Sequence, residues 1–283
     1  MFRTFWPYII FVFLLGACKD QVQVDESKLV STDFVQEHIG HSGYKIIDAR
    51  NFDDYQKGHI PGALHWSADE WIGDDCILSY DIPDKESLDL MLKDLGVQEG
   101  DKLLVYDDLG GCKATKIWWM LKNHGYENVS IINGGINKWK DEKANLDLPS
   151  NALEKSEIEI RREAELMTYA ADLLYIKEQR SNQNLKFVTC QKMTLDSLTD
   201  ESMVHLDLNE LFSDSVSKEL KDVLSLDEYY TSMGLDRENE IIICCSEYNQ
   251  GALIQFILQE VLKYPKVRQF SGDSRDVLNV IKS

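Results

Sequence analysis

Ile46–Ala63 reads IIDARNFDDYQKGHIPGA, and this stretch decides how the rest of the chain is understood. Two β-branched residues, Ile46 and Ile47, run into Asp48-Ala49-Arg50. An acidic helical turn carrying Tyr55 follows, and then the Gly/Pro-rich loop Gly58-His59-Ile60-Pro61-Gly62-Ala63. Strand, charged turn and punctuated loop in that order are what a strand end at the edge of an α/β sheet looks like.

A second pattern spans the chain. Asp101–Asp107 (DKLLVYD) has the near-continuous apolar run of a buried parallel strand. Gly110 and Gly111 follow, then an apolar helical segment with Trp118, Trp119 and Leu121, then Val129–Ile132 and Asn133-Gly134-Gly135. Glu240–Cys245 (EIIICC) restates the strand, Gly251–Leu262 the helix, Val267 the next strand and Gly272 its close. Asp107 to Val129 is 22 positions, as is Cys245 to Val267; Asp107 to Gly134 is 27, as is Cys245 to Gly272. Equal spacing over two strand–helix–strand units implies a duplicated domain. The expected organisation is residues 28–148 and 156–283, joined through the polar, Pro149-containing stretch 141–156. Ile158 and Ile160 alternate with charges and are expected to open the second domain.

The motifs GHIPGA, VYDD at 105–108, IWW at 117–119 and INGGINKW at 132–139 closely resemble the rhodanese (sulfurtransferase) family. The resemblance is strong in the first half and weak in the second before residue 240. It implies an α/β chain of two rhodanese-like domains, each a parallel sheet flanked by helices on both faces. Tandem sulfurtransferases carry their nucleophile in the second domain, after a central strand and before a helix, and usually an Asp in the first. Here those positions fall on Cys245 and Asp107. Curled backbone N–H groups and the helix dipole would lower the thiol pKa and bind an anion there. By resemblance, Cys245 would take sulfane sulfur from a small anionic donor of the thiosulfate or mercaptopyruvate type. It would then pass that sulfur to a thiol or cyanide-like acceptor, which is covalent catalysis in two half-reactions.

The active loop departs from the family pattern, Cys-(Arg/Gly)-x-Gly-x-(Thr/Arg). It reads Cys245-Ser246-Glu247-Tyr248-Asn249-Gln250-Gly251, with no Arg or Gly after the cysteine. Tyr248 holds the fourth position, where Gly permits tight curvature. Glu247 would raise the thiol pKa and repel an anion. The loop reads one residue longer than in sulfurtransferases, as in the phosphatase and arsenate-reductase variants of the fold. Those end in an oxyanion-gripping Arg, and Gly251 fails that requirement. A frame shifted by one would put an inert Ser246 at the nucleophile position. The DxR strand of the first half becomes Phe187-Val188-Thr189-Cys190-Gln191, and GHIPGA becomes roughly Asp200–Val204. Cys244 and Cys245 can equally be small residues closing a buried strand, with only one facing the loop. Cys112 is a second, weaker thiol candidate. Asp48 and Arg50 read as a structural pair or cap, and His59 as a loop anchor through a backbone bond. Trp118 and Trp119 are expected to divide between core and domain interface. Asp53-Asp54 and Asp74-Asp75 read as solvated faces or caps.

The leader differs in character. Met1-Phe2-Arg3 is a short basic start, and Phe5–Leu15 is mostly apolar. Eleven residues at about 1.5 Å each cannot cross about 30 Å of hydrocarbon, so 1–17 reads as a signal peptide. Leu15-Gly16-Ala17-Cys18 resembles the bacterial lipobox, which implies acylation of Cys18, a tether over 18–27 and a lipid anchor in the bacterial cell envelope, on the periplasmic face or outer membrane. The net charge of −19 becomes −20 without residues 1–17, which contain only Arg3 among charged side chains. Such a surface excludes nucleic acid as a partner and opposes anionic substrates. With Cys18 acylated, cysteines 76, 112, 190, 244 and 245 are an odd, irregularly spaced set that reads as no disulfide framework, and no cofactor or metal motif is present. Two functional classes follow: a sulfurtransferase working through Cys245, and a non-catalytic rhodanese-like binding or scaffold lipoprotein that has lost the anion-gripping residues. A weaker third is another thiol or oxyanion reaction using the longer loop.

Overall fold

A computed structural model describes residues 28–67, 83–148, 155–160, 167–169, 184–190, 202–245 and 248–271, with isolated positions between 172 and 178. The leader, Cys76, Asp74-Asp75 and the proposed lipid-bearing Cys18 lie outside the described residues.

The first half builds one parallel sheet. Its strands are β1 (Leu29–Val30), β2 (Tyr44–Asp48), β3 (Leu64–His65), β4 (Lys102–Tyr106) and β5 (Val129–Ile132), in the order β1-β5-β4-β2-β3. Helices α1 (Thr32–His38), α2 (Phe52–Gln56), α3 (Lys85–Asp94), α4 (Cys112–Asn123) and α5 (Gly135–Asp141) alternate with them. Local chemistry sets the helix starts: Ser31, Asn51 and Asp84 each accept a backbone N–H from the first turn of α1, α2 and α3. The central strand β4 is buried along its whole length, as a parallel strand covered on both faces must be. Its alternation sorts the core: Leu103 and Val105 join α4, while Leu104 and Tyr106 pack with Val35, Ile136 and Trp139 from α1 and α5.

The second half repeats this topology. Strands β6 (Met167–Tyr169), β7 (Leu185–Thr189), β8 (Met203–His205), β9 (Glu240–Ile243) and β10 (Val267–Ser271) lie in the order β6-β10-β9-β7-β8. Register repeats as well as order. Leu103 pairs Val129 and Ile241 pairs Val267; Ile47 pairs Val105 and Val188 pairs Ile243. The equal spacings of the sequence therefore correspond to equal hydrogen-bond registers. Ile158 and Ile160 behave differently from expectation. They are buried, but the 155–160 segment is not a strand; it lies on α3 of the first half, where Ser156 N donates to Lys93 O at 3.1 Å and Ile160 N to Asp89 Oδ1 at 2.8 Å. The strand that pairs β10 comes later, at Met167.

The two halves share one apolar core. Helix α4 is buried nearly all round, which is the pattern of an internal helix. It packs against α7 (Tyr248–Phe256) of the second half, with Trp118 meeting Phe256 edge to face at 5.2 Å. Trp118 and Trp119 both belong to this shared cluster. At the helix ends Lys122 pairs with Glu260, and Lys138 with Glu219 at 3.0 Å. A further helix, α6 (Val223–Ser232), is capped by Asp222 and buries Leu226 and Tyr230. Among the described residues no helix is long and apolar enough to cross a membrane.

Candidate active site

The loop after β4 shows what the fold does at this position. Asp107 follows the strand directly, is fully buried, and accepts four backbone N–H groups: Leu109 and Gly111 on Oδ1 at 2.8 Å, Lys113 on Oδ2 at 2.7 Å and Ala114 on Oδ2 at 2.9 Å. Helix α4 is entered through Gly111, at φ 95°, which makes no side-chain cap. The Asp107 carboxylate replaces the cap, satisfying donors of the first turn that would otherwise be orphaned. Burial pushes its pKa above the ordinary carboxylate value, and the four donors act in the opposite direction. The first half thus contains a formed anion nest, filled by its own carboxylate.

Two glycines close this nest. A Cβ on Gly135, at φ 52°, would lie 2.1 Å from the Asp107 carbonyl oxygen, which instead accepts from Ile136 N at 3.0 Å. A Cβ on Gly110 would fall 2.5 Å from the Phe212 ring, so the loop is covered by the second half. Asn133 completes that contact, accepting from Leu220 N at 2.8 Å.

Cys245 occupies the equivalent place in the second half. The pairing of β7 with β9 reproduces that of β2 with β4, so Cys245 corresponds to Asp107 and Cys190 to Ala49. Cys244 and Cys245 face opposite sides of the sheet, as strand alternation requires. Cys244 joins the Phe187 and Phe270 cluster, where burial pushes its thiol pKa far up, and Cys245 joins the shared core. The sequence expectation of no disulfide is corrected: Cys190 and Cys245 are disulfide-bonded, with Cα atoms 5.2 Å apart. Counting cysteines could not reveal this, because the partner is supplied by strand adjacency rather than by spacing. A usable signal existed in the repeat itself, since both residues lie just past the ends of strands that must be neighbours.

The loop expectation also changes. Helix α7 starts at Tyr248, so Tyr248, Asn249, Gln250 and Gly251 belong to a helix and only Ser246 and Glu247 separate Cys245 from it. In the first half four residues, 108–111, separate Asp107 from α4. The connection is shorter than the one after Asp107, and the helix ends in a π-helical turn at Ile257–Val261. Ser246 and Glu247 lie outside the described residues. Tyr248 therefore does not stand at a curved loop position. Gly251 lies against the Gln269 amide: a Cβ there would sit 2.7 Å from Gln269 Nε2. Gln269, on β10, is almost completely buried, and neither atom of its amide has a hydrogen-bond partner. It is a residue that sequence reasoning missed, since a strand Gln gives no signal of where its amide ends up.

The remaining motif residues hold the Gly58–Ala63 loop. Asp48 and Arg50 form a buried pair at 2.6 Å. Arg50 Nη2 also donates to Gly58 O at 2.8 Å, and Tyr106 Oη donates to Asp48 Oδ2 at 2.5 Å. Burial alone would lower the Arg50 pKa, but the hydrogen bonds and charge of Asp48 outweigh it and the net direction is upward. His59 is buried against the Tyr55 ring at 4.0 Å, with Nδ1 3.1 Å from Tyr55 O, and its backbone bridges Asp147. None of these three is near Cys245 in the topology; they lie in the first sheet. Asp54 is a surface residue paired with Lys57 at 2.8 Å. Cys112 begins α4, half-buried and outside any disulfide. A groove of about 990 Å³ lined by Lys85, Gly100, Tyr126, Glu127, Glu157 and Glu159 lies at the opposite end of β4 and β5, away from Cys245.

A five-stranded parallel sheet built twice in the same order, with a loop-to-helix nest after the central strand, defines a tandem rhodanese fold. Residues 31–142 match the rhodanese-like domain family, and this half of the chain is a rhodanese-like domain. Over most of its length the chain is similar to the 3-mercaptopyruvate sulfurtransferase of Escherichia coli, at 26% identity over 261 residues, covering 86% of this chain and 92% of that one. It is similar to the sulfur carrier protein TtuD of Thermus thermophilus, at 26% identity over 273 residues, with 89% and 94% covered. The crystal structure of SseA from Escherichia coli, a 3-mercaptopyruvate sulfurtransferase, superposes with a TM-score of 0.73 at 24% identity, covering 86% of this chain and 97% of that one.

Proposed function

We propose that the protein is a sulfurtransferase of the rhodanese type, moving sulfane sulfur through a persulfide on Cys245. The observation that carries this reading is the position of Cys245, in register with Asp107, where the first half builds an anion nest and three residues before a helix. Similarity over nearly full length to a 3-mercaptopyruvate sulfurtransferase supports the same chemistry. The donor is a small anion of the mercaptopyruvate or thiosulfate type, and the acceptor a thiol or cyanide-like nucleophile. Turnover is slow, because the loop lacks an Arg to hold the donor and carries a glutamate, Glu247, two positions after the cysteine in a strongly acidic protein. The protein acts at the bacterial cell envelope, held by an acylated Cys18.

The experiment is intact-mass analysis of the reduced full chain after treatment with 3-mercaptopyruvate or thiosulfate. One sulfur atom is expected on Cys245, absent in Cys245→Ser and retained in Cys112→Ser. Moderate salt should raise the rate by screening, and Glu247→Arg should raise it further. If no cysteine gains sulfur from either donor, in the parent or in Glu247→Arg, the chain is a binding module with a rhodanese fold.

A further inference from the structure

We infer that Cys190 is a second catalytic thiol, which discharges the Cys245 persulfide internally and makes hydrogen sulfide the product. The inference rests on the sulfurtransferase reading and adds to it the fate of the sulfur and the class of co-substrate.

Its basis is the product geometry already present in the structure. Strands β7 and β9 are parallel neighbours, locked by Cys244 N donating to Val188 O at 2.7 Å. Each strand carries a cysteine two residues beyond the paired Val188 and Ile243, so the two side chains leave the sheet at the same level. The 5.2 Å Cα separation lies within the range that a disulfide bridges without backbone movement. The first half has no counterpart: the same two places hold Ala49 and Asp107. The second cysteine therefore comes together with the nucleophile, in the half that carries it.

The step balances as follows. Cys245 bears a persulfide, Sγ–SH, after the donor has left and the outer sulfur has taken a proton from solvent. The Cys190 thiolate attacks Sγ of Cys245, the Sγ–Sγ bond forms, and the bond from Cys245 Sγ to the outer sulfur breaks. The outer sulfur leaves as HS⁻, reduced from the sulfane level, and the two cysteines are oxidised to the disulfide. An external dithiol then resets the pair. It attacks the half-buried Cys190 sulfur, because Cys245 is only 2% exposed. That choice of sulfur makes Cys245 the leaving thiolate, ahead of helix α7, and returns the nucleophile in its reactive form; the second thiol of the dithiol then attacks its own partner sulfur in the mixed disulfide, releases the Cys190 thiolate and leaves as the oxidised dithiol. The net reaction consumes a sulfur donor and a dithiol, and yields HS⁻, the desulfurised donor and the oxidised dithiol. An internal acceptor also suits this site, since a bound thiol needs no cationic loop to hold it.

The test is a single turnover. The full chain is reduced, desalted free of reductant without air, and given one equivalent of 3-mercaptopyruvate. Sulfide is measured colorimetrically, and the cysteines are mapped by alkylation and mass spectrometry. The parent should release about one equivalent of sulfide per chain and end with Cys190 linked to Cys245. Cys190→Ser should keep the sulfur on Cys245 and release almost none. Cys190→Ala is made alongside, with thermal melts of both, and peptide mapping of the parent stands by itself if neither variant folds. Persulfide that persists in the parent while Cys190 remains alkylatable, or equal sulfide from Cys190→Ser, would overturn the inference and leave the sulfurtransferase reading intact. No sulfur on Cys245 and no sulfide in either protein would overturn both.

Discussion

Asp107→Ala is the perturbation that separates the two loops most directly. It removes the acceptor of four backbone N–H groups at once. The hydrogen bonds from Gly111 and Ala114 are buried, and those from Leu109 and Lys113 are part-buried, where water can replace the carboxylate. A buried donor left unpaired costs roughly 1–3 kcal/mol, so the two buried groups put the loss at roughly 2–6 kcal/mol. Relief of the burial that raises the Asp107 pKa offsets part of this and places the expected loss in the lower half of the range. For a chain of this size, each kcal/mol lowers Tm by about 2–4 °C. If the nest is a true anion site, formate should re-enter the vacated space and restore stability, returning about 2.7 kcal/mol when present at a hundred times its Kd. The assay is thermal unfolding of the parent and the variant in formate against chloride at equal ionic strength. Formate should raise Tm of the variant and leave the parent unchanged. A loss below roughly 1 kcal/mol, or equal stabilisation of the parent by formate, would refute the view that the carboxylate occupies a preformed nest.

Arg50→Met should leave Asp48 charged, buried and without its main partner, costing about 3–5 kcal/mol in urea denaturation, while the double variant Asp48→Asn/Arg50→Met should recover part of that loss. Burial raises the phenol pKa of Tyr106, Tyr126 and Tyr230. The folded chain therefore keeps these groups protonated at a pH where the unfolded chain ionises them. Their contribution is complete below about pH 10 and is lost as pH rises beyond it, and the buried Cys244 thiol acts in the same direction from about pH 8–9, so the urea midpoint should fall steadily between about pH 8 and pH 11. Cys18→Ser should release the protein from the membrane fraction or leave the precursor uncleaved. An unchanged mass and membrane association would remove the lipid anchor from the account.

The sequence was enough to give the sheet class and the duplication. GHIPGA, the buried β4 run and the matched 22- and 27-residue spacings are local patterns, and they mark strand–helix–strand units and their repetition. The roles of Asp48, Arg50 and His59 as loop supports were similarly readable, because a charged pair two residues apart at a strand end can reach itself. What the sequence did not carry was contact across distant segments. Ile158 and Ile160 have a strand's alternation, but they settle on α3, since the surface available to them decides their partner. The start of α7 at Tyr248 and the π turn at its end are likewise visible only in the tertiary structure, where α7 packs on α4. The Cys190–Cys245 disulfide is the clearest case: the two cysteines are 55 residues apart and lie in unlike sequence contexts. Only the pairing of β7 with β9 brings them together, because adjacency in a sheet is a property of the whole fold and leaves no mark on either strand alone.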